Sequence, residues 1–435
     1  MFRLILKTLW ARRKRNGWLL AELILVAVLS WAIFDPVIVL THNRLIPLGY
    51  DADRLVLVSL DMLRERAPGY DPQATDSAAI VDAYLNLVRL AREHPDVQQT
   101  TAVLGFSYPN SDGNSMNSYR AEGDTTRNGR ISSMIIQFLP HTHFFETYGF
   151  RPGKGLSPAE LSDRDYGLDD LVLDEGTLQA LFSTDDPRGK RVWDYYESDT
   201  TRSNVVGTVG IFKFRNERCP VSVVFQPSLF IDTGYLPNDI RILVRVKEGV
   251  SMDRFLHEFR PWMLQHLRAG NLYARDLRSY DQVIDEQETD SSGAIYRRNL
   301  LVAVFFLVNL CLGVVGTFWL QTRTRREEVG VMLSFGATPG RIVRQLLGEG
   351  AVLTTLGTLV GCFIYLQYAI SEGLAKGVSD WMGKVQTYWT DSFGLHFLIV
   401  SLIVYAILLA VVSVGVYIPA RKISRIPPTE ALRDE

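Results

Sequence analysis

Two carboxylates lie inside strongly apolar stretches of the sequence, where a charge is costly. Glu22 lies about one turn into the stretch 18–40, and Glu349 lies about one turn into the stretch 346–370. Ionisable residues within a membrane span are rare and commonly functional. Both glutamates are candidates for a role in coupling, and pairing with a nearby arginine at the membrane boundary is an equally good interpretation. Too few ionisable groups lie at mid-depth for a proton relay.

Side chains elsewhere predict neither a metal site nor an active site. His141 and His143 have no third ligand nearby in the sequence, so we expect packing or a surface position for them. The three cysteines, Cys219, Cys311 and Cys362, form no metal-binding pattern. The sequence has no G-x-x-x-x-G-K-[ST] phosphate loop and no nucleophile motif. We therefore predict no catalytic residue, no metal, no directly bound cofactor and no ATP hydrolysis by the chain itself.

The composition indicates a membrane protein that carries a polar domain. Apolar residues make up 47% of the 435 residues and charged residues 22%, with a net charge of −2. Four stretches have the length of about 20 mostly apolar residues that crosses a bilayer. They are residues 18–40, 299–320, 346–370 and 395–418. The balanced charge gives no bulk attraction to nucleic acid, so no such partner is expected.

Lysine and arginine concentrate in segments 1–17, 321–345 and 419–435, which lie on one side of the membrane if there are four spans. The short loop 371–394 carries few basic residues. The positive-inside rule therefore predicts cytoplasmic termini in a bacterial inner membrane and an extracytoplasmic domain over residues 41–298. The first stretch is longer than the apolar part of a signal peptide and no cleavage site follows it, which favours an uncleaved span.

Residues 41–298 predict a mixed α/β domain with short strands and amphipathic helices. A helix is predicted over 77–94, and another over 251–267 with the Ser251 hydroxyl as its N-cap. The apolar face of the first helix consists of Ile80, Tyr84, Leu87, Val88 and Ala91.

Two polar segments of this domain have their own predictions. Residues 110–130 predict a loop or a hairpin, either simply solvated or a contact surface for a cargo or partner. Residues 281–292 predict a helix that extends the second span outward as a stalk. Because the domain hangs between the first two spans, movement of those helices would reach it directly.

The segment between the second and third spans predicts a short helix beside the membrane. Its helix is predicted over 323–335 and ends at Gly336, after which Thr338 is a good N-cap and Pro339 suits the first position of a new helix. One side of the short helix is apolar at helical spacing. The residues on that side are Val329, Met332 and Leu333.

This segment resembles the signature of MacB/FtsX-type ABC permeases, R-x-x-E-[IV]-G-[IL]-x-x-[AS]-[LIF]-G-A-[ST] followed by a span that begins near G-E. The matching residues are Arg325 or Arg326, Glu328, Val329, Gly330, Val331, Ser334, Phe335, Gly336, Ala337, Thr338, Gly348 and Glu349. The C-terminal segment resembles the closing motif of the same family. It matches at Pro419, Ala420, Arg421, Pro428, Glu430, Ala431 and Leu432. Residues 171–182, 204–216 and 241–250 are similar to parts of the MacB periplasmic domain.

The resemblance implies an α-helical membrane protein with four transmembrane helices. An α/β (α+β) extracytoplasmic domain of MacB periplasmic type would be inserted between helices 1 and 2. The segment after helix 2 would be a coupling helix that docks on a cytoplasmic ABC ATPase. The implied coupling residues are Arg326, Glu327, Glu328, Val329, Gly330, Met332, Leu333, Gly336, Ala337 and Thr338.

The implied partners follow from the same resemblance. MacB carries an ATPase before its first span, whereas about 17 residues precede it here, so we expect a separate ATPase that uses ATP and magnesium. A homodimer or a heterodimer with a related permease is expected, and a periplasmic adaptor or cargo is a further candidate. Efflux, lipoprotein or peptide export, and mechanical signalling across the envelope all fit the resemblance.

Two other classes of function compete with a permease. A sensory receptor would bind its ligand in the outward domain, but it would need a cytoplasmic output domain longer than any segment predicted here. A membrane-anchored envelope enzyme would need a catalytic motif, which the sequence does not contain. A partner ATPase would separate the permease from both, and hydrolytic activity in residues 41–298 would favour the enzyme.

Overall fold

The computed structural model describes residues 11, 13–113, 115–125, 129–194, 202–228, 231, 240–289, 294–323, 325–371 and 385–425. Two compact units are distinguished. The helical unit is Met1–Thr41, Ile295–Val378 and Tyr388–Glu435, and the sheet unit is His42–Ala294 with Ser379–Thr387.

The helices in chain order are α1 (Arg13–Leu45), α2 (Ser77–Ala91), α3 (Phe144–Tyr148), α4 (Pro158–Asp163), α5 (Glu175–Phe182), α6 (Met252–His266), α7 (Tyr280–Glu288), α8 (Ala294–Arg323), α9 (Arg326–Ser334), α10 (Pro339–Ser371) and α11 (Phe393–Ile423). The strands are β1 (Leu55–Met62), β2 (Val97–Leu104), β3 (Met116–Ala121), β4 (Arg130–Phe138), β5 (Asp170–Asp174), β6 (Arg191–Asp194), β7 (Arg202–Val209), β8 (Val223–Pro227), β9 (Ile240–Val246), β10 (Arg268–Ala269) and β11 (Leu272–Ser279).

Three helices in the described part of the chain are long and apolar enough to cross a membrane. They are Gly17–Leu45 within α1, Pro339–Ser371 and Phe393–Ile423. The predicted span 299–320 lies within α8, a helix of 30 residues. A membrane protein with a sheet-rich second unit is therefore confirmed, and the count of four spans remains a prediction.

The first spanning helix continues well past its proline. Pro36 lies inside α1, which ends only at Leu45. A proline there interrupts one backbone hydrogen bond without ending the helix when neighbouring groups satisfy the freed carbonyl. The Asp35-Pro36 pair predicts either a kink in the first span or its exit into the stalk, and the helix continues through this pair to Leu45.

The sheet unit contains an antiparallel five-stranded sheet, in the order β10-β11-β1-β9-β2, and a closed six-stranded barrel, in the order β3-β4-β8-β5-β7-β6. In the sheet, Leu57 pairs with Leu243 of β9 and with Arg278 of β11. In the barrel, β4 and β8 are parallel and so are β5 and β7. We call the five-stranded sheet with α2 and α6 the sheet lobe, and the closed barrel the barrel lobe.

The central strand β1 buries both of its faces. Val56 and Val58 pack with the apolar faces of α2 and α6, whereas Leu55 and Leu57 pack with residues of the barrel strands. Alternate side chains of a strand point to opposite faces, so a strand covered on both sides is apolar throughout. This explains the continuous apolar run at the start of β1.

The structure decides one open prediction for the sheet unit and corrects another. Of the loop and the hairpin predicted for the polar segment 110–130, the described part is a hairpin of the barrel, because it contains β3, which pairs antiparallel with β4 and also with β6. Ser251 precedes α6, but its hydroxyl makes no capping hydrogen bond. Residues 426–435 of the closing motif and 372–384 of the last loop lie outside the described residues.

Candidate functional site

The short helix α9 is anchored in the helical unit by its apolar face. Val329 is 4% exposed and lies in a core formed with residues of α1, α10 and α11. Met332, Leu333 and Ala337 are half-buried against the same core. Apolar residues three and four positions apart share one side of a helix, so the sequence pattern dictates this packing.

A tight turn separates α9 from α10. Gly336 has a φ of +84°, which glycine adopts without the steric cost other residues meet. The Gly336 and Ala337 amides donate to the carbonyls of Leu333 and Met332 at 3.0 and 2.9 Å. Pro339 then begins α10, as its missing amide proton allows at a first helical position. The predicted break at Gly336 is present.

The opposite side of α9 and its end face away from the core. Phe335 is 88% exposed and Val331 is 44% exposed. Glu328 is also exposed, and Gly330 is buried. The side chains of Arg326 and Glu327 lie outside the described part of the chain. An exposed apolar tip on an anchored helix is a surface that another protein could cover.

A buried ion pair joins the start of α9 to α10. Arg325 Nη1 donates to Glu349 Oε2 at 2.5 Å, and the two side chains are 8% and 6% exposed. Pairing with an arginine was one of the two interpretations of Glu349, and the structure contains that pair. A role for Glu349 in coupling remains a prediction.

The other intramembrane glutamate lies against the second long helix. Glu22 of α1 is half-buried, and its Oε1 lies 3.5 Å from the position that a Cβ atom at Gly313 of α8 would occupy. This distance is ordinary van der Waals contact, so the Glu22 carboxylate lies beside α8 and would still fit if Gly313 carried a Cβ atom.

A second polar contact within the helices was not predicted. Asp35 Oδ1 lies 2.6 Å from His396 Nε2, which joins α1 to α11. Trp31 Nε1 also donates to Ser401 Oγ at 3.1 Å. The partners are more than 350 positions apart in the chain, so no local pattern indicates them. The only available signal was the position of Asp35 in an apolar stretch.

The G-x-x-x-G pattern of α10 packs against α1. A Cβ atom at Gly357 would lie 2.8 Å from Leu23 Cβ, and one at Gly361 would lie 2.6 Å from Ala27 Cβ. Both distances are below van der Waals contact, so the two helices approach closely only because these positions lack side chains. The two glycines of this pattern therefore allow close packing of two helices within the same chain.

The two neighbouring histidines lie on the surface with carboxylates. His141 Nε2 is 3.1 Å from Asp165 Oδ1, and His143 Nδ1 is 3.4 Å from Glu146 Oε2. Within the described ranges, no group of three His, Cys, Asp or Glu side chains could hold a metal ion.

Comparison with known proteins supports the resemblance predicted from the motifs. Residues 300–428 match the family model described as FtsX-like permease C-terminal. The "Macrolide export ATP-binding/permease protein MacB" of Wolinella succinogenes is 25% identical over 323 residues, which cover 72% of this chain and 45% of the relative. The "Uncharacterized ABC transporter permease YknZ" of Bacillus subtilis is 31% identical over 124 residues, 28% of each protein.

The matches to these larger relatives are longer than the match to the family model. The "Probable export ATP-binding/permease protein Pfl01_2215" of Pseudomonas fluorescens is 25% identical over 66% of this chain and 42% of its own length. The chain spans less than half the length of these larger relatives. The resemblance to MacB/FtsX-type permeases is therefore confirmed.

Solved structures give a weaker likeness. The match to the periplasmic region of MacB from Actinobacillus actinomycetemcomitans covers 56% of this chain and 97% of the solved chain, with 12% identity and a TM-score of 0.30. The extracellular domain of YknZ from Gram-positive bacteria covers 51% of this chain, with 12% identity and a TM-score of 0.27. Scores this low do not by themselves establish a shared fold.

Proposed function

We propose that this chain is the permease subunit of an ABC-type complex in a bacterial inner membrane, and that a cytoplasmic ATPase docks on α9. The helix would act as the coupling helix, and ATP hydrolysis by the partner would move the spanning helices and the sheet unit. The chain would have four spans, cytoplasmic termini and an extracytoplasmic sheet unit. It would function as a dimer, with itself or with a related permease.

The observation that carries this proposal is the exposed apolar tip of α9 at Phe335. An exposed phenylalanine has a cost in water that a partner pocket would remove. The tip is held in place by Val329 in the core and by the Arg325–Glu349 pair at the other end of the helix. A force applied at Phe335 would therefore be transmitted to α10, and little of the displacement would be absorbed by flexible chain.

The other features of the complex are proposed from the resemblance. The relatives named export ATP-binding/permease proteins suggest export as the activity, with the cargo or an adaptor meeting the sheet unit. ATP and magnesium would bind to the partner ATPase, and this chain would contribute no catalytic residue. The arginine-rich segments beside α9 support the cytoplasmic placement of that helix.

The proposal is tested by the sidedness of Phe335 and by its effect on a partner. Phe335→Cys, in a chain whose native cysteines are replaced, should react with a membrane-impermeant maleimide in inverted vesicles and not in intact spheroplasts. Leu168→Cys is the matched control, because Leu168 is 71% exposed on the sheet unit and should show the opposite pattern. Labelling of Phe335→Cys from outside the cell would refute the docking of a cytoplasmic ATPase.

The second arm measures ATP hydrolysis by the ABC ATPase that copurifies with the chain in nanodiscs. Phe335→Asp places a charge in the proposed contact, and it should abolish both copurification and stimulated hydrolysis. Leu168→Asp, an identical change at an exposed leucine of the sheet unit, should leave both intact. Stimulation that survives Phe335→Asp would assign the docking surface elsewhere.

A further inference from the structure

A partly buried polar cluster lies where the C-terminal turn of α1 meets the C-terminal turn of α7 and the loop that follows β7; Asn43, Lys213 and Glu288 are buried in it. We call this cluster the polar junction, and all of it lies in the sheet unit. Its members are Asn43, Arg44, Lys213, Asn216 and Glu288. Two of its three elements are close in the chain to long apolar helices. Asn43 lies near the end of α1, and α8 begins six positions after Glu288, the last residue of α7.

Lys213 is the most buried charged residue of the junction, with none of its surface exposed. Its Nζ donates to the Asn43 carbonyl, the Asn216 carbonyl and Asn216 Oδ1, each at 2.9 Å. An ammonium group has three protons, so three acceptors satisfy it completely. Burial lowers the pKa of Lys213 to about 8, which leaves it mostly protonated at neutral pH.

Glu288 bridges the same two elements from the other side. Its Oε2 accepts from Arg44 Nη2 at 2.6 Å, and its Oε1 accepts from Asn216 Nδ2 at 2.8 Å. Asn216 is therefore held by both charged residues at once. The end of α1, the loop and the end of α7 are joined by charge-assisted hydrogen bonds, which are stronger than neutral ones.

The junction is continuous with the interior of the sheet unit. Asn43 Nδ2 donates to the Glu217 carbonyl at 3.1 Å, and the Cys219 thiol donates to Asn43 Oδ1 at 3.2 Å. The same loop places Phe212 and Phe214 in the large aromatic core beneath the barrel strands. Displacing the end of α1 would therefore pull directly on this core.

The chemistry of the junction suits positioning better than stability. Replacing a buried ion pair by apolar side chains of similar volume is often neutral or stabilising, so such a network is weak evidence for a stabilising role. Hydrogen bonds with fixed directions, in contrast, define one arrangement of the three elements.

We propose that the polar junction is a rigid joint that passes displacement of the outer end of α1 to the barrel lobe, with Lys213 and Glu288 as its positioning residues. This inference rests on the proposed function, since it needs an ATPase to move α1. The joint would remain closed throughout the ATPase cycle, and breaking it would separate ATP hydrolysis from movement of the barrel.

The first arm of the test breaks the joint. The full chain is reconstituted with its copurifying ATPase in nanodiscs, and hydrogen exchange of the β8 peptide is compared without nucleotide and with ATP and vanadate. Lys213→Met should lose the nucleotide-dependent change in β8 while stimulated hydrolysis stays close to the wild-type rate. Lys154→Met is the matched control, because Lys154 is an exposed lysine of the same unit paired with Asp185.

The second arm locks the joint. Asn43→Cys, in a background with Cys311→Ala and Cys362→Ala, places a thiol beside native Cys219 so that oxidation can join α1 to the loop. The oxidised chain should keep the nucleotide-dependent change in β8. Loss of that change on oxidation, with recovery on reduction, would mean that the joint opens during the cycle and would overturn the proposal.

The remaining outcomes of these experiments also test the proposal. An unchanged nucleotide response in Lys213→Met would overturn the proposal. If that variant exchanges rapidly throughout the sheet unit, Glu288→Gln, which keeps an acceptor for Asn216, carries the same test. A wild-type chain whose ATPase is neither bound nor stimulated would refute the proposed function first, and the joint with it.

Discussion

At the residue scale, the pair between Arg325 and Glu349 shows how a costly contact fixes a position. Both charges are withdrawn from water, and Arg325 Nε and Glu349 Oε1 make no hydrogen bond with any described residue. Desolvation of such a pair can exceed its Coulomb attraction, so the pair contributes little net stability. Removal of one partner would be costly, because the other charge would remain buried. The pair therefore specifies where α9 meets α10.

His94 gives the sheet unit a defined dependence on pH. Its ring packs edge-on against Phe255, Phe259 and Trp262, and its Nδ1 accepts from the Asp96 amide at 3.2 Å. Burial lowers the pKa of His94 from its ordinary value of 6.5, against the opposing effect of Asp96 and Glu258. The unfolded chain therefore takes up the proton at a higher pH than the folded chain does.

We therefore expect the free energy of unfolding to be highest above about pH 6.5, where His94 is neutral in both states, and to decrease as the pH falls below that value. His94→Asn keeps an acceptor for the Asp96 amide and removes the titration, so it should flatten that part of the profile. The measurement is urea unfolding of the sheet unit in the full chain, followed by hydrogen exchange between pH 5 and 7.5. Equal slopes in the two proteins would exclude His94 as the cause.

At the element scale, α1 and α10 approach closely because glycine occupies two positions of α10. A Cβ atom at Gly361 would meet Ala27 Cβ at 2.6 Å and the Ile24 carbonyl at 2.9 Å. The second of these is backbone, which cannot rotate away. Overpacking of this kind typically costs about 1–3 kcal/mol.

Gly361→Ala should therefore lower the thermal stability of the helical unit in detergent. Gly316→Ala on α8 is the matched control, because nothing lies within 4 Å of its added Cβ. Alanine has the higher helix propensity, so the control should be neutral or slightly stabilising. Equal melting temperatures for the two variants would show that the helices separate without cost. Scanning fluorimetry of both purified chains decides between these outcomes.

The sequence pattern correctly predicted those features of single elements that depend only on residues close together in the chain. The buried face of α2 is the predicted set, Ile80, Tyr84, Leu87, Val88 and Ala91, because apolar residues at helical spacing have one way to be buried. The strand β2 was missed, since the sequence VQQTTAVL lacks regular alternation. Its polar threonines are buried by tertiary packing, which no local window contains.

The candidate site also has features that the sequence predicted and contacts that it did not. The turn at Gly336 and the apolar face of α9 followed from residue types and spacing. The contact of Arg325 with Glu349 joins residues 24 positions apart, and the hydrogen bond of Arg44 to Glu288 in the polar junction joins residues 244 positions apart. Such pairs depend on how the chain folds back on itself, and composition gives no indication of them.

At the scale of the whole molecule, the two lobes of the sheet unit share one of the unit's large hydrophobic cores. Leu57 and Leu243 of the sheet lobe share that core with Val223 and Phe225 of the barrel lobe. Phe225 is fully buried and its ring lies 5.2–5.5 Å from those of Phe145, Phe150 and Phe212. A shared core couples the stability of its walls, so the lobes should unfold together in one transition.

Phe225→Ala tests this coupling, because it removes a large ring from the shared core. The cavity should cost about 3–5 kcal/mol, and the loss should appear equally in slowly exchanging amides of β5 and β8 and in those of β1 and β9. Leu168→Ala, at an exposed leucine, should leave both sets unchanged. Native-state hydrogen exchange in dilute urea separates the possibilities. Faster exchange confined to the barrel strands would mean that the lobes open independently, and a displacement delivered to one of them would then be absorbed before it reached the other.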